Sequence, residues 1–356
     1  MKHIIFCSAI MATFIIDNPQ CGGSRVDRAQ IAAIYLDNDN YDQALIEARR
    51  ALREEGSRTD LQLIIALAHM GLEKDIAALE VLANAIAVDP ANDQLHNTLR
   101  MLCEKESILM AARSALERLR NTKPLHAATL ATAAWIELQL AQQNRSIALL
   151  DSAIALDPDY LYARIERSRI AGKNADLVRT ESELRAALRI APNQPRLLVA
   201  LGEALLKQTR TTSADSAFSQ ALLHSDSINI AAHVAHIYSE QKHTERAIEY
   251  YERAIKRAPK DAKLLNNLAW SYAETGIELK RATRLSLRSL QLDGENPIYM
   301  DTYAELLYLQ KYYTHAFAVI RRALDIESRK QQSEYRDYLR EQYEKMKNAF
   351  GPRNSM

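Results

Sequence analysis

Pro90, Pro124, Pro158 and Pro192 stand 34 residues apart, and this interval constrains the fold more than any other feature of the chain. Proline lacks an amide hydrogen and its ring clashes with the preceding helical turn, so each one marks a helix stop. A stop that recurs every few tens of residues is the signature of helical hairpins stacked in an array. Between the stops the apolar residues keep helical spacing. Ala247, Tyr251 and Ala254 lead to Pro259, and then Leu265, Leu268, Ala269 and Tyr272 open another helix that ends near Gly276. Composition excludes the main alternative: nine glycines, nine prolines and 6% aromatic residues, beside abundant Ala, Leu, Ile, Arg and Glu, favour helix throughout and predict no sheet.

Unit starts at Arg25, Thr59, Asp93, Ala127, Leu161 and Pro195 keep the 34-residue register, and Ile228, Ala262 and Pro297 follow with single-residue adjustments, making nine units. The twentieth and twenty-seventh positions of each unit, on its second helix, should be small so that two helices can approach closely. They read Ala44 and Ala51, Ala78 and Ala85, Ala214 and Ala221, Ala247 and Ala254, and Ala316 and Ala323.

This pattern resembles the tetratricopeptide repeat over nearly all of the chain after residue 24, with Leu201, Gly202 and Leu205 matching in the sixth unit and Leu268, Ala269 and Tyr272 in the eighth. The resemblance implies an all-α, right-handed superhelical solenoid of about nine helix hairpins. Some positions depart from it. No unit has Trp at the fourth position, Arg100 and Ser168 occupy the small eighth position, and Ser146 and Thr180 replace alanine at the twentieth, so the middle units are expected to be looser or rotated. The segment from Leu264 to Leu324, with its LNNLAW run ending at Trp270, resembles a C-terminal repeat pair common in bacterial members. Beyond Ser328, Tyr335, Leu339, Tyr343 and Met346 recur at helical spacing and predict a C-terminal capping helix within residues 331–356, because an array must shield its last apolar face from water.

The first 23 residues have a different character. Lys2 and His3 precede a 13-residue apolar run from Ile4 to Ile16, and a polar DNPQCGGS segment follows. This is the layout of a secretory signal, and the run is shorter than the roughly 20 residues a membrane span needs. Cys21 before Gly22, Gly23 and Ser24 resembles a lipoprotein acylation site, although Asn18, Pro19 and Gln20 depart from the usual lipobox. Ordinary cleavage close to Gly23 and a helix packed on the array are the other readings. The chain is thus expected to be exported, periplasmic or outer-membrane associated, and cytoplasmic if residues 1–23 are not a signal.

With 46 basic and 45 acidic side chains the net charge is +1, which predicts no nucleic-acid partner and no membrane contact beyond a lipid at the N-terminus. No HExxH, GxxxxGK[ST] or GxSxG motif and no cysteine–histidine ligand spacing occurs, so no catalytic centre, cofactor or metal is expected. Function is expected on the concave wall. By the resemblance, the fifth and ninth positions of each first helix face that groove: Leu63 and Leu67, Asn97 and Met101, Ala131 and Trp135, Ile165 and Arg169, Val199 and Glu203, Ala232 and His236, Asn266 and Trp270, Asp301 and Glu305. The aromatic residues would supply affinity and Arg169, Glu203, Asp301 and Glu305 selectivity. The clamp by which co-chaperones of the family hold a C-terminal carboxylate is missing, since Lys263 with Asn267, and Arg196, lack their partners. The resulting expectation is a non-catalytic scaffold or adaptor for peptide or protein partners in the bacterial cell envelope. A cytosolic regulator or chaperone-like array, and a substrate-presenting subunit of an enzyme complex, remain as alternatives. Mass spectrometry of the native protein is expected to show an N-terminus at or near Cys21 or Gly23, and an intact Met1 would refute export.

Overall fold

The computed structural model describes residues 27–350 except 57, 226, 331 and 332. The leader read from the sequence, Cys21 included, and residues 351–356 lie outside the described residues. Among the described residues there are nineteen helices and no strand, and no helix is long and apolar enough to cross a membrane. They fall into two compact units that divide between Ile190 and Ala191. In the first unit the hairpins are α1 (Arg28–Asp37) with α2 (Tyr41–Glu55), α3 (Thr59–Gly71) with α4 (Asp75–Val88), α5 (Asp93–Leu102) with α6 (Glu106–Thr122), α7 (Ala127–Gln139) with α8 (Gln143–Leu156), and α9 (Leu161–Lys173) with α10 (Leu177–Ile190). In the second they are α11 (Pro195–Lys207) with α12 (Thr211–Leu223), α13 (Ile228–Glu240) with α14 (Thr244–Arg257), α15 (Ala262–Thr275) with α16 (Leu279–Leu292), and α17 (Pro297–Leu309) with α18 (Tyr313–Ser328), followed by a last helix α19 (Tyr335–Phe350).

Two kinds of turn generate this order. Between units, Pro90, Pro124, Pro158, Pro192 and Pro259 each stand two residues past the last helical residue, where the missing amide ends the helix. Within hairpins the chain reverses through left-handed residues: Asp39, Glu73, Ala141, Ala175, Thr209, Lys242 and Lys311 have φ between 57° and 65°, and the turn after α15 uses two, Gly276 at 71° and Glu278 at 49°. In each of the first seven, the next amide donates back to the carbonyl five residues earlier, as from Gln142 to Glu137 (2.8 Å) and from Asp176 to Ala171 (2.9 Å). That bond satisfies a carbonyl orphaned at the helix end and repays the strain of a left-handed L-residue.

The third hairpin lacks such a turn. Its α5 stops at Leu102, and α6 packs on α4 and α7 while making only marginal contact with α5. In this hairpin Arg100 fills the eighth position where its neighbours have smaller side chains, with Leu119 rather than alanine at the twenty-seventh. Arg100 is 8% exposed, and a buried guanidinium must be hydrogen-bonded. It donates to Asn97 and, at 2.8 Å, to the Thr132 hydroxyl, and it lies 4.1 Å over the Tyr162 ring. Thr132 in turn contacts His96 Nδ1 at 3.0 Å, and His96 Nε2 reaches the Pro90 carbonyl at 3.0 Å. Burial lowers the His96 imidazole to about 4, so it is neutral, with Nδ1 accepting from Thr132 and Nε2–H donating to the proline turn. Ser168 and Thr180 do not loosen the fifth hairpin, because each hydroxyl donates to a carbonyl of its own helix segment, at 2.7 Å to Ile165 and Asp176 respectively.

Elsewhere the small residues let the hairpins close. Ala44, Ala51, Ala78, Ala214, Ala221, Ala247, Ala254, Ala316 and Ala323 have no exposed surface. Cys103 is buried among the apolar side chains of the first unit, and burial pushes its thiol up to about 12, so it serves as a small hydrophobe. The last apolar face of the second unit is covered by α19, whose Leu339 and Met346 are fully buried against Met300, Ala304, Ile320 and Ala323.

Gly202 tests the close approach directly. A Cβ there would fall 2.4 Å from Cε1 of the fully buried Phe218 on α12. Gly202→Ala is expected to cost about 1–3 kcal/mol in denaturant unfolding by overpacking. In a double-mutant cycle with Phe218→Leu that cost is expected to shrink, whereas an unchanged cost would show that the two side chains do not meet.

Candidate functional site

In the second unit four helices and the cap surround an open cavity of about 590 Å³, within the size range of small-ligand and peptide seats. One wall is a single stripe of α15, since Lys263, Asn266, Asn267 and Trp270 are spaced three and four residues apart and so share a face. His236 and Ser239 come from α13, Tyr251 from α14, and Ile298, Tyr299, Asp301 and Thr302 from the first turns of α17. The far wall is Tyr335 and Tyr338 of α19. The C-terminal helix therefore does more than cap, for it supplies two phenol rings to the cavity.

Two polar side chains at the bottom are almost wholly buried. Asp301 is 4% exposed, and its Oδ2 accepts the Tyr335 hydroxyl at 2.9 Å, with Tyr338 as a second phenol donor. Burial raises the Asp301 carboxyl to about 6; the two phenols and Lys345 pull it down, while Glu305 pushes it up. Both phenols are pushed above the ordinary tyrosine range by burial and by the carboxylate, so they remain donors. Asn266 is 3% exposed, and its side-chain oxygen has no hydrogen-bond partner among the described residues. Asn267 donates to the Tyr251 hydroxyl at 3.4 Å, a long bond. Lys263 is exposed at the rim, and Trp270 is half-buried.

Residues 229–261, which hold α13 and α14 and reach the turn before α15, match the tetratricopeptide repeat family model. These residues carry a tetratricopeptide repeat, and the helix hairpins on either side of them repeat its two-helix form. Solved structures similar to it include a tetratricopeptide repeat protein from Parabacteroides merdae, 13% identical, with a TM-score of 0.47, covering 82% of this chain and 99% of its own. Yeast Tom70 is 12% identical with a TM-score of 0.47, covering 92% of this chain and 90% of its own. The C-terminal part of a repeat protein from Cytophaga hutchinsonii is 17% identical with a TM-score of 0.46, covering 77% and 98%.

Within these repeats the fifth position of the first helix is mostly not the groove surface read from the sequence. Leu63, Ala131 and Val199 are 5%, 0% and 2% exposed, and Leu63 and Ala131 belong to the apolar core of the first unit. In that unit the first helices of successive hairpins pack on one another, and side chains at this turn fill the space between them. Asn266 and Asp301 occupy the same position and are buried for the same reason, but as polar groups they form the cavity floor. The ninth position is more open. Leu67 and Trp135 are half-buried against apolar clusters of the first unit, and Met101 is half-buried. Arg169 pairs with Glu166 at 2.6 Å, Glu203 with Lys207 at 2.7 Å, and the exposed His236 lies 3.3 Å from Glu240, each within its own helix. Glu305 is held by Lys345 of α19 at 2.7 Å, so it is not part of a free acidic wall, and Asp301 is buried beneath the phenols rather than displayed. The sequence reading missed Lys263, Asn267, Tyr251, Tyr299, Tyr335 and Tyr338 as wall residues. The helical stripe through Asn266 and Trp270 signals the first two, whereas nothing local signals the tyrosines of α19.

The raised Asp301 carboxyl fixes a pH dependence. Its folded value near 6 exceeds the ordinary unfolded value of about 3.9, so the folded state holds the proton more tightly and ionisation opposes folding. That stabilising contribution is complete below about pH 4 and is lost as pH rises through about 6. Asp301→Asn is therefore expected to be near neutral at pH 4 and to stabilise the chain at pH 8 by on the order of 2–3 kcal/mol in urea unfolding. A variant destabilised equally at both pH values would contradict this.

Proposed function

We propose that this protein is a non-catalytic scaffold or adaptor that seats a peptide, or an exposed segment of a partner protein, in the cavity between α13, α15, α17 and α19. The observation that carries this reading is the buried Asn266 oxygen, without a partner among the described residues, in the same lining as the half-buried Trp270 ring. An unsatisfied buried acceptor costs about 1–3 kcal/mol, a cost that a ligand donor relieves. A peptide brings an amide donor at every residue other than proline, and a flat indole beside it adds contact area at low entropy cost. The remaining lining, amides, hydroxyls and rings with the Asp301 carboxylate and one exposed lysine, suits a peptide better than a phosphate or a nucleic acid.

Service in the bacterial cell envelope is the second part of the proposal. Its support is the tripartite N-terminal segment ending at Cys21 and its glycines. An exported array with a peptide seat suits the holding together of an envelope assembly.

Affinity capture from the native host tests the seat. Trp270→Ala is expected to lower partner recovery by about tenfold or more, the loss of an interface hot spot, with helicity and thermal midpoint nearly unchanged. Trp135→Ala, which removes a ring packed on the first unit's core, is expected to lower the midpoint instead. Equal recovery with wild type and Trp270→Ala would overturn the assignment of the seat.

A further inference from the structure

We propose that the cavity contains a subsite for a cationic side chain, a lysine or arginine of the bound segment, with the Asp301 carboxylate as counter-ion and the Asn266 oxygen as a second acceptor. The inference rests on the reading of this cavity as a peptide seat and names the side chain it selects.

Two of the deep polar groups offer acceptor atoms. The Asn266 oxygen has no partner among the described residues, and Asp301 has no ion pair among them. An ionised carboxylate offers about four lone-pair positions, and the two phenols occupy two. The nearest cation on the cap, Lys345, is taken: its ammonium contacts both Glu305 oxygens, at 2.7 and 3.0 Å, and lies 4.8 Å over the Tyr308 ring. Lys263, the cation of the lining, is exposed at the rim. A carboxylate removed from water without a counter-charge is costly, and an arriving cation turns that cost into attraction.

The walls suit the same guest. Trp270, Tyr251, Tyr335 and Tyr338 face one space, and ring faces attract a lysine ammonium or an arginine guanidinium. A guanidinium also brings several N–H donors in one plane, enough to bond a carboxylate and an amide oxygen together. An acidic side chain would meet the Asp301 carboxylate and find no deep cation in exchange for its lost water. The subsite thus inverts the charge preference of a carboxylate clamp.

The test uses the full chain carrying Trp135→Phe, so that the indole emission comes from Trp270. It is titrated with capped peptides of sequence Gly-Ala-X-Ala-Gly in which X is arginine, lysine, citrulline or glutamate. Arginine and lysine are expected to bind about tenfold or more tighter than citrulline, which keeps the shape and removes the charge, and glutamate weakest. In the added Asp301→Asn background the arginine–citrulline difference is expected to vanish while weak binding of both persists. Citrulline binding as tightly as arginine to the wild-type cavity, or a preference for arginine that survives Asp301→Asn, would overturn the subsite and leave the peptide seat standing. Absence of binding by all four peptides would overturn both. The arginine–citrulline comparison needs no variant of Asp301, so it decides even if Asp301→Asn fails to fold.

Discussion

Each ordinary hairpin of this protein depends on two helices coming close enough for their backbones to touch through alanine-sized side chains. Where the second helix has Ala44 and Ala51, or Ala247 and Ala254, those residues are wholly buried and the pair shuts like a hinge. The left-handed turn residue and its backward amide bond depend on that closure, because they bring the chain back only when the second helix has a surface to meet. Gly202 against Phe218 shows the limit of the requirement, with the space of one methylene group already used by the ring.

The third hairpin shows what happens when the requirement is broken. Arg100 is larger than the residues at this position in the neighbouring hairpins, and Asn97, Thr132, His96 and the ring of Tyr162 form a buried polar relay around it. The local fold changes with it: α5 is cut to ten residues, α6 extends to seventeen, and the usual left-handed turn is absent from this loop. Ser168 and Thr180 break the same size or polarity rule without such effect, because each short hydroxyl donates to a carbonyl of its own helix segment.

The cavity in the second unit draws on stability that the rest of the unit supplies. Among the described residues Asn266 holds an acceptor without a partner and Asp301 a carboxylate without a cation, both at a position that apolar residues fill in most other hairpins. The buried Leu339 and Met346 of α19 offset these costs while its tyrosines shape the wall. Polar strain placed in a cleft is a usual mark of a binding site, since a ligand can relieve it.

The period of the stops, the helical spacing and the small residues were legible in the chain alone, because proline geometry and close packing act within one hairpin and leave a local trace. The stripe through Asn266 and Trp270 was legible for the same reason. Burial of the fifth position was not, for it depends on how the first helices of successive hairpins lean on one another, which turned Leu63 into core and Asp301 into a cavity floor. Nor was the meeting of Asp301 with Tyr335, 34 residues later. The sequence by itself determined an all-helical array of hairpins and the edges of each one. Only the tertiary structure decided which polar groups lose their water, because burial is a property of surfaces brought together from distant turns of the chain.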